Sequence, residues 1–198
     1  MQHATINPEE VELEYVPDGP VYVDNAGDTT RYIYAAIDPY SWELWEWPEG
    51  VELVHSGSRL IGYMHPDEWD DWALDMIAAG CQMYPVDYHE HGTCIWGLTG
   101  SVPRDRWDTV HNAGWIAIPD YSLTDSGYDD PAAVAAHILD EYTAACNGEG
   151  YLLIVETHTP DADPDVFVVG GFFGLSSIES AIRDELPGGM NCPDELPG

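Results

Sequence analysis

Residues 130–156 read DPAAVAAHILDEYTAACNGEGYLLIVE, and this stretch decides the fold class. Asp130 stands where a helix cap is wanted, Pro131 falls in the first turn, and the interior is rich in alanine. Val134, Ile138 and Tyr142 recur every four residues, which gives one apolar stripe, and Asn147-Gly148 supplies a stop. The pattern predicts a helix over 131–146. Tyr151 to Glu156 then follows as a short, apolar, β-type run. A second such run, Val166 to Phe173, lies beyond a loop rich in Pro and Asp. A helix followed by two adjacent strands predicts an α+β chain with a mainly antiparallel sheet.

Working outward, short β-type runs at Val21 to Val23, Arg31 to Ile37, Trp42 to Trp47, Val51 to Val54 and Arg59 to Met64 are separated by turn residues and read as a meander. Pro66-Asp67-Glu68 opens a predicted helix over 66–79, with acids at its positive end and Gly80 at its stop. Trp69, Trp72, Met76 and Ile77 are expected on its inner face. Strands are expected at Met83 to Tyr88, Thr93 to Leu98 and Gly114 to Ile118. Ser176-Ser177-Ile178-Glu179 reads as a capping box opening a last helix over 177–186. The expectation is one domain over 1–186, with a β-rich N-terminal lobe over 1–64. Two Asp-Glu-Leu-Pro-Gly repeats mark 187–198 as an extended tail.

The 198 residues carry 37 Asp and Glu against five Arg and no Lys, for a formal charge of −32. Such a chain repels phosphate, which excludes direct nucleic-acid binding and docking to an anionic membrane. Disorder is excluded too, because 44% of the residues are hydrophobic and eight are Trp. No apolar run approaches the roughly 20 residues of a membrane helix, and residues 1–4 show no secretory pattern, so a cytoplasmic protein is expected. Cys81, Cys94, Cys146 and Cys192 lie far apart without a Cys-x-x-Cys, which predicts free, buried thiols.

Three constellations carry candidate chemistry. Asp87, His89 and His91 alternate along a predicted strand and would share one face, a plausible start for a Zn²⁺ or Fe²⁺ site completed by His111, Asp108 or His158. Cys94 follows His91 by three residues, but its flanks Ile95 and Trp96 predict burial. No nucleophile elbow, phosphate loop or dinucleotide fingerprint occurs. The third constellation is the acid itself. Quarters of the chain, divided at 50, 100 and 150, hold 11, 8, 9 and 9 acids, so the charge is not an appendage. Asp67, Glu68, Asp70, Asp71 and Asp75 are the densest set. On a helix, carboxylates four residues apart stand about 6 Å apart, near the spacing of phosphates along a strand. Glu43, Glu46 and Glu49 among Trp42, Trp45 and Trp47 form a second set, with the aromatics expected as interface anchors.

Tyr88-His89-Glu90-His91-Gly92-Thr93, then Arg106-Trp107-Asp108, then Asn112-Ala113-Gly114-Trp115-Ile116 resembles a pattern in an uncharacterised family of small proteins encoded by phages and mobile elements. The resemblance spans about residues 83–174. His91-Gly92 lacks that family's serine, and Thr109-Val110-His111 replaces its Ser-Gly. It implies a mobile-element origin and no catalytic residues. By composition the chain is also similar to acidic DNA-mimic proteins that disarm host defences. The expected function is therefore a non-enzymatic, cofactor-free inhibitor of a basic nucleic-acid-binding host protein, of the anti-CRISPR or anti-restriction kind. The alternative is a salt-adapted protein, for which an even acid distribution and absent lysine also speak, with a metal-dependent hydrolase site at Asp87, His89 and His91.

Overall fold

In a computed structural model, the residues described are 4–6, 19–38, 40–41, 45–56, 64–104, 107–120 and 130–185. Among these residues, two antiparallel sheets and three α-helices make up an α+β fold, as the pattern around residues 130–156 predicts. Two compact units are formed: Met1–Trp45 with Ala144–Gly198, and Glu46–Thr143.

The first unit holds a sheet of five strands, β1 (Ala4–Ile6), β2 (Tyr22–Ala26), β3 (Thr29–Ile37), β8 (Gly150–His158) and β9 (Asp165–Phe173), in the order β1-β9-β8-β3-β2. β2 and β3 form a hairpin closed by Gly27-Asp28, with Gly27 at φ 64°, a conformation that suits glycine in a two-residue turn. Period-two alternation divides the side chains. Ile33, Ala35, Tyr151, Leu153 and Val155 cluster with Ile178 and Ile182 of helix α3 (Leu175–Glu185), four residues apart on one stripe. Ala36, Leu152, Ile154 and Val168 form a second cluster. β8 is buried from Gly150 to Val155 without a polar break, which is why its sequence is continuously apolar rather than alternating. Arg31 of β3 reaches the end of α3, where its guanidinium donates to the Glu185 carboxylate and, at 3.3 Å, to the Glu185 carbonyl.

The second unit holds the order β4-β7-β5-β6, made of β4 (Glu52–His55), β5 (Cys81–His91), β6 (Thr93–Leu98) and β7 (Thr109–Pro119). Helix α1 (Trp69–Ala78) packs on β5. Helix α2 (Pro131–Cys146), which belongs to this unit up to Thr143, matches its predicted bounds, with the Asp130 carboxylate accepting from Ala132 N–H at 3.0 Å. Trp96 of β6 is buried against the rings of His55, Tyr88 and Tyr142. The Thr143 hydroxyl closes the outer edge of β6, accepting from Trp96 N–H at 2.8 Å and donating to Trp96 C=O at 3.3 Å. β4 approaches β7 so closely at Gly114 that a Cβ there would overlap the Val54 carbonyl oxygen.

Several expectations are corrected. Residues 45–47 are irregular rather than strand, because Trp45 and Trp47 are used for packing: Trp45 stands edge-on to Phe173, and Trp47 is tilted on Tyr142. The first helix begins as a 3₁₀ turn, Pro66–Glu68, before α1. α3 starts at Leu175, so Ser176 lies inside its first turn, and Gly174 at φ 78° precedes it. Cys81, Cys94 and Cys146 are free but only half-buried. Residues 1–3, 7–18, 39, 42–44, 57–63, 105–106, 121–129 and 186–198, with Trp42, Glu43, all of the strand predicted from Arg59 to Met64 except Met64, Arg106, Cys192 and the tail, lie outside the described residues.

Candidate functional site

Asp87 is the most strongly built polar centre. Val86 pairs with Gly114 and Tyr88 with Val110, so one β5 residue faces His111, Asn112 and Ala113 of β7. This bulge turns Asn112 to φ 51° and leaves backbone donors without a strand partner. The fully buried Asp87 carboxylate fills the gap. One oxygen accepts from Asn112 N–H at 2.8 Å and the Thr99 hydroxyl at 3.0 Å; the other accepts from Gly100 N–H at 2.9 Å and meets His111 Nδ1 at 3.1 Å. Burial pushes the Asp87 carboxyl upward, but the hydrogen bonds from Gly100, Asn112, His111 and Thr99 together outweigh it and hold the group below the ordinary carboxylate range.

The expected trio does not converge. Asp87 engages His111, His89 Nδ1 lies 3.0 Å from the Thr109 hydroxyl, and His91 Nδ1 lies 2.8 Å from Asp108. Among the described residues no three His, Cys, Asp or Glu side chains are grouped to hold a metal ion. A carboxylate-held imidazole can move a proton, and the bonds of Asp87 also join β5, the turn after β6 and β7, so they brace the sheet. Sequence alone names His111 and Asp108 as neighbours of this region, but not that the bulge gives His111 to Asp87 while Asp108 meets His91.

The acid set is arranged differently. Trp69 donates its indole N–H to Met64 C=O at 3.2 Å, and Trp72 donates to the Glu52 carboxylate at 2.9 Å. Together with Ala73 and Met76 these two rings form the inner side of α1, which orients the rest of the helix outward. Asp67, Glu68, Asp70, Asp71 and Asp75 are all exposed. Asp71 and Asp75 stand one turn apart on α1, while Asp67 belongs to the preceding 3₁₀ turn, where its N–H donates to His65 Nδ1. No Lys or Arg occurs between Arg59 and Arg104. Glu46 and Glu49 are exposed, but the neighbouring Trp45 and Trp47 are packed rather than displayed as anchors.

Ile77 corrects the expected inner face. It is 57% exposed, and Leu74 is 66% exposed. At 100° per residue, Ile77 lies about 140° around the axis from Trp72, so both cannot face the sheet. The inner face is narrower than the composition of the helix implies, and no residue of α1 is fully buried.

Comparison with protein-family models, curated proteins and solved structures finds no match for this chain. No helix among the described residues is long and apolar enough to cross a membrane.

Proposed function

We propose that this protein is a non-enzymatic inhibitor that occupies the nucleic-acid-binding surface of a basic host defence protein, of the CRISPR or restriction kind, inside the host cell. The observation that supports this reading is the outward face of the 3₁₀ turn and α1, where Asp67, Glu68, Asp70, Asp71 and Asp75 are all exposed in a stretch of chain without a single Lys or Arg. Asp70 and Asp71 suit the positive end of α1, but Asp75 stands one turn beyond Asp71, where the like-charge pair costs a helix a few tenths of a kcal/mol. Lys and Arg that line a nucleic-acid channel are its natural complement, and they steer association and register. Glu46 and Glu49 are exposed as well, with Glu43 beside them in the sequence.

Affinity capture from host lysate at about 0.1 M and then about 1 M NaCl, which shortens the Debye length from about 10 Å to 3 Å, tests the reading. A basic nucleic-acid enzyme held at low salt, released at high salt, and lost with Asp70→Lys, Asp71→Lys and Asp75→Lys is the expected result. Folded protein that retains nothing at low salt overturns it. The even distribution of acids favours the second reading, adaptation to high salt, which instead predicts a chain that folds only in concentrated salt.

A further inference from the structure

Helix α1 carries two distinct outward stripes. Around the axis, Asp71 and Asp75 lie on one flank, with Glu68 in the turn before them. Asp70, Leu74 and Ile77 follow at intervals of four and three residues on the other flank, about 110° away. Leu74 and Ile77 are among the most exposed large apolar side chains described, and the carboxylates beside them have no Lys or Arg near in sequence. A surface built only to imitate phosphates has no use for an isoleucine and a leucine in water. Phosphate arrays are polar throughout, and an exposed apolar pair costs solubility without adding charge.

We infer that α1 docks as an amphipathic helical ligand into a partner groove with an apolar floor and a basic rim, Leu74 and Ile77 entering the floor and Asp70, Asp71 and Asp75 meeting the rim. This rests on the proposed reading of a basic partner and adds the apolar half of the contact. Charge complementarity names the occupant. A second copy of this chain would bring another −32 to the same face, and an apolar partner without cations would leave the flanking carboxylates desolvated and unpaired. Recognition then has two separable parts. The rim contact weakens with salt, and the floor contact persists in it.

Fluorescence anisotropy with two labelled probes separates them: a leucine–lysine amphipathic peptide, and its counterpart of equal charge with serine in place of leucine. The whole protein is compared with the Leu74→Gln, Ile77→Gln variant, glutamine being a good helix former, and with the Asp70→Asn, Asp71→Asn, Asp75→Asn variant. Circular dichroism verifies the helix in each. The expected result is that the wild-type chain prefers the leucine probe, and that the apolar variant loses about tenfold on that probe, near 1.4 kcal/mol, while keeping its affinity for the serine probe. The carboxamide variant should weaken both probes and flatten the salt dependence. An apolar variant that binds both probes as the wild type does overturns the inference and leaves the proposed function standing. A wild type that binds neither probe at low salt overturns both. A wild-type dimer in sedimentation that Leu74→Gln and Ile77→Gln dissociate would make the occupant a second copy, and this too overturns the inference.

Discussion

Replacing Asp87 by alanine removes at once the acceptor for Thr99, Gly100 and Asn112 and the partner of His111. Two of these groups are backbone N–H donors, Asn112 at the bulge of β7 and Gly100 in the turn after β6. The expected loss is about 3–5 kcal/mol in urea unfolding at pH 7, the range for breaking a buried, charged network. Asp87→Asn keeps the shape and one acceptor and should cost less, about 2 kcal/mol. Because the folded protein holds the Asp87 carboxyl below its ordinary range, the stability this residue contributes is complete above the unfolded value, near 3.9, and is lost as pH falls through the lower folded value. The gap between wild type and Asp87→Asn should therefore stay level from pH 7 to about 4 and close below it. A gap that narrows between pH 7 and 5 would show that another group governs it. Gly114 makes a second residue-scale case. The atom its Cβ would strike is the Val54 carbonyl oxygen, a backbone atom that cannot swing aside, so Gly114→Ala should cost about 3 kcal/mol by overpacking, read as a fall in Tm.

At the scale of elements, the outer edge of β6 is closed by one hydroxyl. Thr143→Val keeps the volume of that side chain but withdraws both the acceptor for Trp96 N–H and the donor to Trp96 C=O. A loss of about 1–2 kcal/mol follows, with faster hydrogen exchange at Trp96 as the measurement that checks it. α2 was legible in its sequence because cap, stripe and stop all agree, and β8 because an unbroken apolar run admits few alternatives. The run from Trp42 to Trp47 misleads for a physical reason: its aromatics have high strand propensity, but Trp45 and Trp47 satisfy it by packing on Phe173 and Tyr142, with no ladder at 45–47. The metal reading of Asp87, His89 and His91 rests on strict alternation along β5. β5 keeps that alternation, its register with β6 running unbroken from Val86 to His91, but the three side chains take separate partners, His111, Thr109 and Asp108, and the bulge that brings His111 to Asp87 lies on β7, where the sequence of β5 carries no sign of it. The exposed face of α1 was half legible. Its carboxylates are where the helical period puts them, whereas the exposure of Ile77 depends on which side of the helix is turned inward, and Trp69 and Trp72, bonded to Met64 and to Glu52 of β4, set that side.

For the whole molecule, the decisive quantity is −32 charges on 198 residues. Self-repulsion on this scale works against compactness, and salt relieves it, so stability should rise with NaCl whatever the charge is for. The sign of that dependence therefore discriminates nothing; its starting point does. A chain shaped for a salt-rich interior has no reason to hold together in dilute buffer. An inhibitor acting inside an ordinary cell must be folded there, because only an unscreened acidic face competes with nucleic acid for a basic surface. Two cores made of Ile33, Leu153, Phe172 and their neighbours in one unit and Trp96, Ile116 and Leu139 in the other, each fully or nearly fully buried, are of the kind that folds an ordinary domain without the help of salt. The protein is therefore expected to unfold cooperatively at about 0.05 M NaCl, with Tm rising by several degrees, roughly 1–2 kcal/mol, between that concentration and 1 M. Melts followed by circular dichroism in NaCl and in KCl check it. A chain without a transition at low salt that regains one only in molar KCl would give the acidity to the environment and remove the reason for placing a partner on α1.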